Sequence, residues 1–128
     1  MTPTAEDRDA LFKAFSRAFF KRDVEAMYQV VAPDFVWQMN NTGEGAVTLA
    51  SPEDISRHFE ARKAGGKDVR FEDVVYHHAD DATFMTFRMR ETCRETGATQ
   101  EHMGVERYTF RDGKIALKDV YRKPTNQE

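Results

Sequence analysis

A chain of 128 residues suits one compact domain, 1–128, and is long enough to bury a core without disulfides or a structural metal. Its 19 basic and 22 acidic residues are mixed along the chain for a net charge of −3, which excludes the concentrated basic face of a nucleic-acid binder. No apolar run approaches membrane-spanning length, no leader pattern is evident and the single Cys93 excludes an intramolecular disulfide, so the expected setting is the cytoplasm.

The first half reads as helical. Thr4 with Asp7 three residues on resembles a capping box, and Leu11, Phe15, Ala18 and Phe19 recur at helical spacing. Asp23 caps a second short helix, "VEAMYQVV", which Pro33 is expected to stop. "DFVWQMN" is a strand with Phe35, Trp37 and Met39 on one face, and a Gly-containing loop follows. A third helix, "SPEDISRHFEARKAGG", carries Ser51 as N-cap, Pro52 in its first turn and Gly65-Gly66 at its end. Its basic stretch, "RHFEARKAGGK", reads as a solvated face.

The second half is strand-rich. "DVRFEDVVYHH", "TFMTFRMRETCRE", "QEHMGVERYTF" and "KIALKDVYRK" are strands joined by the turns "ADDA", "TGAT" and "RDG". Three helices followed by hairpin-linked strands predict an α+β fold with a mostly antiparallel sheet. Alternation sends Met85, Phe87, Met89, Glu91 and Cys93 inward, and the parity of the "TGAT" turn adds His102, Gly104, Glu106, Tyr108 and Phe110 to that face. A carboxylate, Glu106, is thus aimed into a core.

The "RDG" turn leaves two phases open for the last strand. A two-residue turn sends Ile115, Leu117, Asp119 and Tyr121 inward; a bulged three-residue turn sends Lys118, Val120 and Arg122 inward instead. The second phase would set Lys118 across from Glu106 and Arg122 across from His102. It would also gather Met103, Val105, Ile115, Leu117 and Tyr121 into an exposed apolar row of the kind that marks an interface.

With "FKRDVEAM", "VVAPDFVW", the proline-started third helix and "FRDGKI" in place, residues 5–123 resemble the nuclear transport factor 2-like superfamily, in its polyketide-cyclase (SnoaL-like) branch. The resemblance implies three helices packed into a curved sheet, forming a cone with a deep, largely apolar pocket. It also implies a homodimer formed through the outer sheet face, and it favours the bulged turn. Against the ketosteroid isomerase pattern of that superfamily, Met39 stands where the proton-abstracting aspartate would be and Phe15 where the oxyanion-binding tyrosine would be. Only Glu106 falls on the position of the protonated acid. The epoxide-hydrolase pattern is not matched.

The candidate acid/base groups are Glu106, His102 and Glu91. Burial without a cation favours the protonated carboxyl, the form a general acid needs, whereas a Lys118 partner would make Glu106 structural. His102 and Glu91 share a face as an imidazole–carboxylate pair. Phe15, Phe35, Trp37, Met39, Phe87, Met89 and Tyr108 are candidate lining residues, with Asn41, His58, Lys118 and Arg122 as polar contacts. His77 and His78 are adjacent on a strand and point to opposite faces, so no metal is expected, and no cofactor motif is present. The preferred reading is a domain that binds a small hydrophobic, oxygenated metabolite. The alternative is a cofactor-independent isomerase, cyclase or hydrolase that uses Glu106 as general acid/base.

Overall fold

The computed structural model describes residues 3–41 and 45–124, with the side chains of Asn41, Gly45 and Pro124 outside that description. Helix α1 (Ala5–Lys21) starts where Thr4 Oγ1 accepts the Asp7 amide at 3.1 Å, and it ends on Arg22 in the left-handed region. Helix α2 (Val24–Met27) is capped by Asp23. Strands β1 (Val31–Asn41) and β2 (Gly45–Leu49) form a hairpin, and helix α3 (Pro52–Ala64) then begins on the Ser51 cap. Four strands complete the chain: β3 (Lys67–His78), β4 (Thr83–Cys93), β5 (Thr99–Arg111) and β6 (Lys114–Pro124).

The result is α+β, with the helices packed against a curved, unclosed six-stranded sheet of order β2-β1-β6-β5-β4-β3. Neighbouring strands are antiparallel except β1 and β6, which run parallel. Between helices and sheet lies one core, built from Phe12, Phe15 and Ala18 of α1, Ile55 and Phe59 of α3, and the inner residues of β1, β4, β5 and β6. No helix among the described residues is long and apolar enough to cross a membrane.

Two expected elements differ. Helix α2 does not extend through Val31, because Val31 pairs with Ile115 and the Val30 carbonyl accepts the Ile115 amide at 3.1 Å. The β-branched Val31 takes strand geometry there, which its stiff side chain favours. Pro33 therefore sits in a register break of β1, where its missing N–H leaves no ladder donor unpaired. The loop expected after β1 contains β2, a five-residue edge strand too short for its alternation to stand out.

The last strand combines both turn alternatives. Arg111 pairs with Lys114, so the turn has two residues, and Asp112 (φ 52°) and Gly113 (φ 77°) take the positive dihedrals of a type I′ hairpin. A bulge follows at Ala116, between the Phe110–Ile115 and Thr109–Leu117 pairs. One extra residue reverses the alternation. Ile115 points inward before it, and Lys118 and Val120 point inward after it. Ile115 is thus fully buried, which removes it from the expected outer row. Leu117 is half-buried, and Met103, Val105 and Tyr121 are exposed.

Parity across the "TGAT" turn sets Met85 opposite Glu106 and Phe87 opposite Gly104. The Phe87 ring lies over that glycine. A Cβ at 104 would come within 2.4 Å of Phe87 Cζ and 2.8 Å of the Tyr121 carbonyl oxygen, so only glycine fits.

Candidate functional site

Glu106 is 1 % exposed at the centre of the sheet's inner face. Tyr108, two residues on and so on the same face, donates its hydroxyl to Glu106 Oε1. Lys118, paired directly with Tyr108, places Nζ 3.5 Å from the same oxygen. The ammonium also faces three rings, at 4.3 Å from the centre of Phe19, 4.7 Å from Trp37 and 5.1 Å from Phe15. Ring quadrupoles attract a desolvated cation and partly replace its hydration.

Burial pushes the Lys118 ammonium down from its ordinary value; the Glu106 charge opposes that push and Arg122 adds to it. Burial, and then the Glu106 charge, hold the Tyr108 phenol well above 10, so it remains a donor. A cavity of about 60 Å³ touches Glu106, Tyr108 and Lys118. It opens between Phe15, Ser16 and Phe19 of α1 and Phe71, Val74 and Tyr76 of β3. At ~30 Å³ per water it holds about two water molecules, or one small functional group.

Beside it lies a larger cleft of about 350 Å³, which shares Phe19, Phe20 and Phe71 with the small cavity. Trp37, Phe59 and Met89 extend its apolar wall, and Arg62 and Arg122 stand among its polar groups. His58, 5.1 Å from Trp37 ring to ring, also lines it. Burial and then the charges of Arg62, Arg122 and Lys118 hold His58 down to about 4, so its imidazole is neutral at pH 7.

The other sequence candidates separate into distinct groups. His102 Nε2 and Glu91 Oε1 meet at 3.0 Å, with Arg62 reaching the other Glu91 oxygen at 3.5 Å, yet neither His102 nor Glu91 is among the residues lining the two cavities. Phe35, Met39 and Phe87 pack in the core and likewise line neither. The side chain of Asn41 lies outside the described residues. Arg122 pairs with Gly104 instead of His102, and Lys118 with Tyr108 instead of Glu106, because the two-residue turn and the Ala116 bulge together shift the register.

The basic face of α3 is not simply solvated. Arg62 and Lys63 line the cleft, and Arg62 is half-buried. The pattern contained a signal for this: Arg62 follows His58 by four residues and so shares its helix face. Tyr76 and Phe71 carried no comparable signal, because the β3 register break at Asp73 (φ 54°) makes the strand's inner phase unreadable from alternation.

Comparison with known proteins gives a consistent picture. Among solved structures, an NTF2-like protein from Burkholderia xenovorans superposes with a TM-score of 0.78 at 16% identity, covering 94% of this chain and 92% of its own. A protein from Xanthomonas campestris pv. campestris, named as a candidate polyketide cyclase, gives 0.71 at 20% identity, covering 91% and 90%. TerC, co-crystallised with polyporic acid, gives 0.70 at 19% identity, covering 91% and 92%. At these identities the likeness is one of fold. No curated protein matches the sequence significantly. The family model of the SnoaL-like domain matches residues 12–118, most of the chain, and the protein belongs to that family.

Proposed function

We propose that the protein binds a small, ring-bearing, oxygenated metabolite, with its rings against Trp37 and Phe59 and an oxygen directed at the Glu106–Tyr108–Lys118 group. The observation that carries this reading is the polar trio at the end of an aromatic-walled space. A carboxylate, a phenol donor and an ammonium meet where the small cavity touches all three. The small cavity has the composition of a ligand pocket, mostly apolar with a few convergent polar groups. A fold neighbour co-crystallised with a small molecule, and another named as a candidate cyclase, support small-molecule binding in this architecture.

Trp37 is the only tryptophan, so its emission reports on the site. Titration with 2-naphthol or 1-tetralone should quench or shift it saturably. A flat response to both would remove the reading. The second reading, acid/base catalysis, is favoured by the cavity that gives a small functional group access to Glu106. It expects Glu106→Gln to retain ligand binding while losing turnover.

The proposed assembly is a homodimer through the outer sheet face. Met103, Val105 and Tyr121 are exposed there, with Val105 and Tyr121 directly paired across β5 and β6. Sedimentation equilibrium should return twice the monomer mass, and Val105→Asp should move it to the monomer. A wild-type monomer at micromolar concentration overturns the dimer.

A further inference from the structure

We propose that the metabolite bound in the larger cleft is an anion, an aromatic or polycyclic carboxylate, whose acid group is held by Arg122 and Arg62. This rests on the pocket reading above and adds the charge of the ligand. The cleft's charged lining is unbalanced: Arg22, Arg62, Lys63, Lys67, Arg94 and Arg122 face a single acid, Asp68. That acid already lies 3.3 Å from Arg94.

Arg122 is the decisive group. It is half-buried, its Nε is enclosed without a hydrogen-bond partner among the described residues, and no carboxylate lies within ion-pair distance of it there. The nearby acids are committed elsewhere: Glu106 to Lys118 and Tyr108, and Glu91 to Arg62 and His102. Trp37 Nε1 is a second enclosed donor without a partner among the described residues, on another cleft-lining side chain. Buried donors ordinarily find acceptors, and two cleft-lining side chains, each with a donor unmatched among the described residues, fit a ligand that brings its own acceptor.

The electrostatics agree with the hydrogen-bond inventory. Burial is the main cause that lowers His58, and the charges of Arg62, Arg122 and Lys118 lower it further, so three cations surround that imidazole. An anion entering there meets fixed cations already gathered by the fold. Arginine presents a planar fork that matches a carboxylate with two parallel bonds. The flanking Trp37, Phe59 and Phe71 supply flat apolar surface for the ring portion of the same molecule.

The test compares 2-naphthoate with 2-naphthylmethanol, the same ring system with and without the charge, by isothermal titration calorimetry. Naphthoate should bind at least ~10-fold more tightly, since that factor corresponds to one charge-assisted contact. Arg122→Met should erase the preference without weakening the alcohol, and Arg122→Lys should keep part of it. Far-ultraviolet circular dichroism of each variant confirms folding, and Arg62→Gln gives an independent loss of preference should Arg122→Met fail to fold.

Equal affinity of the two probes, or a preference unchanged in both arginine variants, overturns the anion proposal and leaves the pocket reading standing. Binding of neither probe, with Trp37 emission still responsive to 1-tetralone, also overturns the anion proposal alone. Binding of neither, with Trp37 unresponsive throughout, overturns both.

Discussion

Replacing Glu106 by Gln should destabilise the protein by about 3–5 kcal/mol, the typical cost of removing one partner from a buried ion pair. The substitution keeps shape and leaves an oxygen for the Tyr108 hydroxyl, so it isolates the charge. What remains is the Lys118 ammonium, 4 % exposed, facing three aromatic rings and without its carboxylate partner. Urea denaturation at pH 7 reads the loss. Because the Glu106 charge is what opposes the burial-driven lowering of Lys118, the ammonium in the variant is lowered further.

The pH dependence follows from that direction. A lysine whose folded-state pKa lies below its unfolded value binds fewer protons folded than unfolded in the window beneath about 10.4, so stability rises with pH there. The deficit of Glu106→Gln should therefore shrink as pH is raised toward that value. Adding Lys118→Met to Glu106→Gln should recover most of the loss at pH 7, because a neutral, similarly sized pair strands no charge. A cost under about 1 kcal/mol for the single variant would show that the pair does not hold the core together.

Arg8→Met should cost about 3 kcal/mol, an effect absent from any reading of composition or periodicity. Arg8 is 5 % exposed near the start of α1. Its guanidinium donates to the carbonyls of Ala79, Asp80 and Ala82 and to Thr83 Oγ1, at 2.6, 3.1, 3.1 and 3.1 Å. Its Nε holds the Pro3 carbonyl at 2.9 Å. One side chain thus joins the helix start to the β3–β4 turn. Hydrogen bonds to a charged donor contribute about 1.5–3 kcal/mol each when counted singly, and bonds sharing one group do not add. Methionine keeps the stem and loses all five.

Lysine should not rescue it, since an ammonium cannot match a planar fork serving acceptors on both sides. The expected readouts are a lower urea midpoint and faster hydrogen exchange at the Ala79 amide, which the Ala82 carbonyl accepts at 2.8 Å. An unchanged midpoint would show that water replaces the guanidinium without loss.

How much of this was legible in the sequence varies with the range of the interaction involved. Helices α1 and α3 were readable because their signals are local: Thr4 and Ser51 cap amides three residues on, and the apolar spacing names the buried face. The inner phase of β4 and β5 was readable because a side-chain period of two, carried across one short turn, has only two solutions. That is why alternation alone places Glu106 in the interior.

Beyond that range the sequence was silent. The Ala116 bulge, which turns both Ile115 and Lys118 inward, depends on how β6 fits two neighbours at once, parallel β1 on one side and antiparallel β5 on the other. No local pattern encodes a parallel pairing between strands some eighty residues apart in sequence. The convergence of Arg62 and Arg122 on one cleft likewise joins α3 to β6, and Arg8 reaches carbonyls more than seventy residues away. Periodicity and capping are set by neighbours along the chain, so the sequence alone determined α1, α3, the inner phase of β4 and β5, and the inward glutamate. Which charges meet it, and which cations are left without a partner, were decided only when distant strands and helices packed together.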